Sequence, residues 1–278
     1  MEMESVINTL AGLVPTDDEI YVGEDGLAKC SRCHTPRQVR IKLPWNAADR
    51  VVNCLCQCMA EERDREEEER KRQAQMMEIR RYRDAGFPDR EYEEWNFYND
   101  DGATPGIRDA MLSYVKNFQD LRKTGKGLLL YGNVGTGKSF YAACIVNALI
   151  DRGYPCLMTN FSRLTNQISG MWEGKQEYID SLGRLALIAI DDLGVERDTE
   201  FMNENVTTII DSLYRSNVPM IITSNYTPKQ LTEAEDIRKK RVFDRLLQVC
   251  HPVLVDGPSR RKEIGRHDFK EMNKLLGL

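Results

Sequence analysis

The sequence predicts an α/β protein: a parallel-sheet P-loop domain with helices on both faces of the sheet, preceded by a small cysteine-bearing module. Three observations carry this. An apolar run, Leu128–Tyr131, breaks into a glycine-rich loop and then into a helical pattern over 139–152. Beyond it, apolar runs of strand length alternate with amphipathic segments of helix length. Ahead of it, five cysteines cluster between positions 30 and 58.

At 278 residues the chain has room for one α/β domain and a smaller module. A hydrophobic content of 41% is enough for a core, and 30% charged residues suits a soluble surface. No apolar run approaches the roughly 20 residues that span a membrane. The acidic start, Met1-Glu-Met-Glu-Ser5, is unlike the basic start of an export signal, so a cytoplasmic location is expected. With a net charge of −5, any nucleic-acid binding must come from a local basic surface.

Residues 1–29 give few signals beyond a short helical pattern at Ser5–Leu13, ending before Pro15. Cys30-x-x-Cys33 and, some twenty residues on, Cys54-x-Cys56-x-Cys58 have the spacing of a small zinc module. Two close pairs supply four thiolates tetrahedrally, and the metal folds a segment too small for its own core. Cys30, Cys33, Cys56 and Cys58 are the favoured set, with Cys54 the substitute and His34 a weaker candidate. Cys144, Cys156 and Cys250 lie singly in apolar runs and read as small core residues. From Ala60 to Asp84 acids and bases mingle without glycine or proline. Pairs such as Glu66–Arg70 and Glu68–Arg72 at i,i+4 suit a solvated connecting helix, which Gly86 and Pro88 stop. Residues 96–106 are rich in turn formers. The expected segments are therefore a zinc module at 1–59, a charged helix and linker at 60–106, and the P-loop domain at 107–278. That domain opens with helical spacing over Ile107–Lys123.

The loop Gly132-Asn133-Val134-Gly135-Thr136-Gly137-Lys138-Ser139 fits G-x-x-x-x-G-K-[ST], with a strand before it and a helix after it. Its glycines let backbone N–H groups turn inward around phosphate oxygens, and the following helix N-terminus adds positive potential. Lys138 then reaches the β/γ-phosphates, and the Ser139 hydroxyl holds Mg²⁺. Strands are expected at Cys156–Thr159, Leu185–Ile190, Val218–Thr223 and Pro252–Val255. Helices are expected at Ser162–Trp172, Glu200–Arg215 and Ile237–Gln248.

The strand at 185–190 runs into Asp191-Asp192. A carboxylate at a strand's carboxyl edge beside a phosphate loop can hold the Mg²⁺ shell, a role that falls to Asp191. Asp192 is expected to polarise the attacking water. Asn225, after the next strand, offers a neutral amide that orients water against a γ-phosphate.

These stretches resemble the AAA+ ATPases of the bacterial helicase-loader group (DnaC/DnaI type), and also the IstB-like ATPases of transposition. The resemblance rests on Gly127–Ser139, Asp191-Asp192-Leu-Gly-Val-Glu-Arg, Thr223-Ser-Asn225, Arg241-Val-Phe-Asp-Arg245 and Gly257-Pro-Ser-Arg-Arg261. It implies sensor 1 at Asn225, an arginine finger at Arg245 and a sensor 2 arginine at Arg261, with Arg260 able to replace the last. Asp-Asp stands where Asp-Glu is the general form, and the stretch after Gly257 is too short for a full helical lid. The resemblance further implies ATP, Mg²⁺ and a zinc ion as cofactors, side-by-side assembly of copies, and loading of the replicative helicase onto single-stranded DNA. It places the helix near Ser162–Trp172 where loaders face that DNA. A transposition helper is one rival, and a nucleotide-switched binding module with negligible hydrolysis is the other.

Overall fold

Residues 20–42, 49–193, 200–233, 237–261, 269 and 272–276 are described by the computed structural model. The chain divides into two units, Met1–Met76 and Met77–Leu278. The helical pattern at Ser5–Leu13 lies outside the described residues.

The first unit carries two antiparallel hairpins. Strands β1 (Ile20–Val22) and β2 (Ala28–Cys30) pair with Ile20 opposite Cys30. Strands β3 (Gln38–Lys42) and β4 (Asp49–Asn53) pair with Gln38 opposite Asn53. Among the described residues of this unit only Ala28, Cys30, Arg37 and Cys56 are buried. The described part of this unit thus has little buried apolar surface of its own. Helix α1 (Gln57–Gly86) follows, and its charged face is solvated as expected. The i,i+4 ion pairs that form in it are Glu61–Arg65 and Glu67–Lys71 rather than Glu66–Arg70 and Glu68–Arg72.

In the second unit a five-stranded sheet has the order β6-β7-β8-β5-β9, all parallel. The strands are β5 (Gly127–Tyr131), β6 (Cys156–Asn160), β7 (Leu187–Leu193), β8 (Met220–Ser224) and β9 (Cys250–Leu254). The inner strands β5, β7 and β8 are covered on both faces, so they are apolar over most of their length, whereas the edge strand β9 is largely exposed. Successive residues still part to opposite faces. Leu128, Leu130 and Ile221 join one core cluster, with α2 (Pro105–Lys116), α3 (Phe118–Lys123) and α4 (Lys138–Ile150). Leu129, Met220 and Ile222 join the other, with α5 (Phe161–Ser169), α6 (Lys175–Leu182), α7 (Glu200–Arg215) and α9 (Ile237–Val249). The lone cysteines Cys144, Cys156 and Cys250 are buried in these clusters.

Several boundaries differ from the sequence reading. The helix expected over 107–123 is two helices, broken at Asn117, whose backbone N–H and side-chain amide both donate to Ser113 O, at 3.0 Å and 2.9 Å. β7 runs on through the acidic pair because Asp191 still pairs with Asn160, and Leu193 with Ser224. α5 ends at Ser169, so Trp172 lies beyond it and is fully exposed. Helix α8 (Pro228–Thr232) had a legible signal, since Thr227 and Gln230 form a reciprocal capping box. The segment read as a linker is part of this unit: Phe87 and Phe97 are buried in the core, and two 3₁₀ turns, Arg90–Glu94 and Phe97–Asn99, lead into α2.

Candidate nucleotide and metal sites

The phosphate loop leaves β5 at the carboxyl edge of the sheet, between β8 and β9, where open α/β sheets bind ligands. Two of its glycines have no room for a side chain. A Cβ at Gly132, where φ is +146°, would come within 2.4 Å of Val255 O; one at Gly135, where φ is +84°, would come within 2.3 Å of Ser259 Oγ. The loop is thus pressed against the segment after β9, and Arg260 N donates to Gly135 O at 2.9 Å. The Thr136 hydroxyl braces it from inside by donating to Asn133 O at 3.0 Å. α4 then starts at Lys138, with its N-terminus behind the loop. Lys138 is buried, and its Nζ donates to Gly132 O at 3.0 Å and Asn133 O at 2.7 Å. Burial lowers its pKa, while the charges of Asp192 and Asp191 oppose that shift. These carbonyls are neutral partners that a phosphate oxygen can displace with a stronger, charge-assisted bond.

Asp191 is 5% exposed at the end of β7. It accepts hydrogen bonds from the Thr223 hydroxyl and, at 3.3 Å, from the Tyr92 hydroxyl. Thr223 also accepts the Asp192 N–H at 2.9 Å. Asp192 has φ +59°, in the left-handed region, and its carboxyl lines the cleft over the loop. Burial, then the neighbouring Asp191 charge, raise its pKa above the usual carboxylate range, against Arg261 and Lys138.

One cleft of 630 Å³ is lined by Val134, Gly135, Gly137, Lys138, Ser139, Asp192, Asn225, Arg260 and Arg261, all of them sequence candidates. Glu91, Trp95, Asn99, Asp101 and Phe140 line it too. Sequence reasoning missed these, although four aromatics between positions 92 and 98 of a supposed linker were a signal. The two arginines left open by the sequence differ in their surroundings. Arg260 is ion-paired with Asp101 at 2.9 Å and Asp100 at 3.4 Å and lies 5.5 Å over the Phe140 and Tyr141 rings. Arg261 is exposed at the cleft, where its charge reaches Lys138 and Asp192. Arg245 is not among the residues lining the cleft; it extends from α9 to an ion pair with Asp211 on α7.

In the first unit the Sγ atoms of Cys30, Cys33, Cys56 and Cys58 lie within 4.8 Å of one another. The Cys30–Cys58 and Cys56–Cys58 separations are 3.6 Å and 3.3 Å. A Zn–S bond of about 2.3 Å in a tetrahedron puts sulfurs about 3.8 Å apart, so this donor set fits zinc. A hydrogen bond from the Thr35 hydroxyl holds the Cys33 thiol down at about 5, whereas hydrogen bonding to Cys56 pushes Cys58 up to about 12. The buried Arg37 guanidinium donates to Cys56 Sγ at 3.7 Å. Cys54 turns away, its thiol donating to Pro36 O at 3.3 Å, and His34 stacks edge-on against Tyr21. The cluster is the set favoured from spacing.

No helix among the described residues is long and apolar enough to cross a membrane. A family model described as IstB-like ATP-binding protein matches residues 52–267. The chain is 26% identical over 160 residues to the replicative helicase loader DnaI of Bacillus subtilis, a match covering 53% of this chain and 51% of that protein. It is 27% identical over 191 residues to a putative ATP-binding protein in an insertion sequence of Mycobacterium tuberculosis, covering 66% of this chain and 72% of that one. The chain thus spans about half the length of the first of these relatives. A crystal structure of DnaI superposes with a TM-score of 0.50 at 25% identity, covering 63% of this chain and 95% of that one.

Proposed function

The chain belongs to the family of IstB-like ATP-binding proteins, and from that premise we propose that it is a Mg²⁺-dependent ATPase that loads the replicative helicase onto single-stranded DNA. The observation that carries this reading is the convergence on one cleft of the phosphate loop, an acid, a strand-end amide and a cationic guanidinium. Lys138 and the loop amides bind the phosphates; Ser139 and Asp191 would hold Mg²⁺, which neutralises charge on the phosphate oxygens. Asp192 accepts a proton from the attacking water, Asn225 orients that water, and Arg261 contacts the γ-phosphate. Trp95, Val134 and Phe140 give the cleft an apolar side suited to a flat base. Arg245 serves as the finger to a neighbouring copy, and the cysteine module, holding zinc, recognises the helicase. The exposed Trp172, between α5 and α6, and Lys175, at the start of α6, face the DNA strand.

Two further supports favour loading: the similarity to DnaI and the cysteine cluster ahead of the ATPase unit. The family model and the mycobacterial relative favour a second reading, delivery of a transposase to DNA. Capture of the tagged full-length chain with Mg²⁺ and ATP separates the two. Recovery of a replicative helicase, which the chain then transfers to circular single-stranded DNA, supports loading; recovery of a transposase in its place overturns it.

A further inference from the structure

We propose that Tyr92 is a positioning residue for Asp191, fixing the carboxylate that meets the Mg²⁺ shell from a segment outside every recognised motif. This rests on the nucleotide-site reading above. Asp191 is buried, and its two oxygens are held by hydroxyls from different elements: Oδ1 by Thr223 of β8 and Oδ2 by Tyr92, at 3.3 Å, of the Arg90–Glu94 turn. A carboxylate held at both oxygens presents one orientation to a cation, and such outer partners tune metal affinity.

The turn that carries Tyr92 is itself clamped. The Tyr92 ring packs edge-on against Trp95, with centroids 5.1 Å apart. Buried Asn147, on α4, donates its side-chain amide to Tyr92 O at 2.8 Å and to Trp95 O at 2.9 Å. The Asn147 carbonyl in turn accepts from Arg83 at 2.6 Å, near the end of α1. Asp89, ahead of the turn, is paired with Arg163 of α5 at 3.0 Å. A phenol ionises only at about pH 10, so Tyr92 is a donor at neutral pH. If Tyr92 were only an aromatic core residue, the ring would suffice and its hydroxyl would have no role at the acid.

The test uses the full chain and a fluorescent ATP analogue, with affinity measured without Mg²⁺ and then across a Mg²⁺ titration. Tyr92→Phe keeps the ring and removes the donor. The expected result is a parental affinity without Mg²⁺ and a rise of roughly 10- to 100-fold in the Mg²⁺ concentration that half-maximally tightens binding. An unchanged Mg²⁺ midpoint overturns the proposal. So does equal weakening with and without Mg²⁺, which marks a merely structural role, or a parental chain whose affinity ignores Mg²⁺. Lys138→Ala, run alongside, reports on the underlying reading: if it binds the analogue like the parent, the nucleotide site is misplaced. If it fails to bind while Tyr92→Phe keeps the parental midpoint, only the Tyr92 assignment falls.

Discussion

Lys138→Ala is the perturbation whose size follows most directly from the site. In the free protein Lys138 is 6% exposed, and among the described residues its ammonium has two neutral carbonyl partners. Removing it relieves a desolvation cost but takes a countercharge from Asp191 and Asp192. The two effects oppose, so the melting temperature of the free variant should stay close to that of the parent. With nucleotide bound the balance changes, because a hydrogen bond to a charged group contributes about 1.5–3 kcal/mol, or roughly 10- to 150-fold in affinity. At a Mg²⁺–ATP concentration about 100 times the dissociation constant, binding stabilises the parent by about 2.7 kcal/mol. A variant binding about 100-fold more weakly gains only about 0.4 kcal/mol. For a unit of about 200 residues this translates into a ligand-induced rise of about 5–11 °C in the parent and about 1–2 °C in the variant. Thermal melts with and without Mg²⁺–ATP read both quantities. A variant that keeps the full ligand-induced shift refutes the phosphate role of Lys138.

Metal analysis should find about one zinc per chain; Cys30→Ser or a chelator should release it, disorder residues 30–58 by proteolysis and leave nucleotide-dependent melting of the second unit intact. Asp192→Asn should keep ATP binding while turnover falls by roughly 10²–10⁴-fold, as loss of a general base does. Because burial and Asp191 raise the Asp192 pKa, ionisation costs the free protein stability as pH rises through that raised value. The Asn variant should therefore melt higher than the parent at neutral pH and lose that advantage in acid. Arg245→Ala and Lys138→Ala proteins should each be nearly inactive but regain activity when mixed, since some interfaces then join an intact site to an intact arginine. Asp211→Asn, which removes the charge paired with Arg245 among the described residues, should keep activity; an active Arg245→Ala protein on its own excludes the finger role.

The parts legible in the sequence share a property: each is fixed by local chemistry. The phosphate loop needs its glycines where neighbouring atoms come too close for a side chain, the backbone of Val255 at Gly132 and the Ser259 side chain at Gly135, and that need is written at fixed spacing. The sheet was readable because strands buried on both faces are apolar along their whole length. The cysteine set that clusters is the one favoured from spacing, but spacing alone did not exclude Cys54. That exclusion depends on Cys54 facing Pro36 O, while Cys56 and Cys58, at the start of α1, come into reach of Cys30 and Cys33.

What stayed hidden depends on contacts between residues far apart in the chain. Arg260 and Arg261 are adjacent and chemically alike, yet one is consumed by structure. Arg260 lies over Phe140 and Tyr141 and meets Asp100 and Asp101, residues some 160 positions earlier that composition assigned to a linker. Its backbone N–H holds Gly135 and its guanidinium lines the cleft beside Gly137, so Arg260 stands in the cleft wall already ion-paired while Arg261 is exposed there. The same supposed linker supplies Trp95 and Asn99 to the cleft wall and Tyr92 to Asp191. Polar, turn-rich composition marks a segment without a regular element of its own; it does not mark one without partners. Here a segment of short 3₁₀ turns gains its order from aromatic side chains packed on α4, and through those turns the approach to the domain becomes one wall of its site.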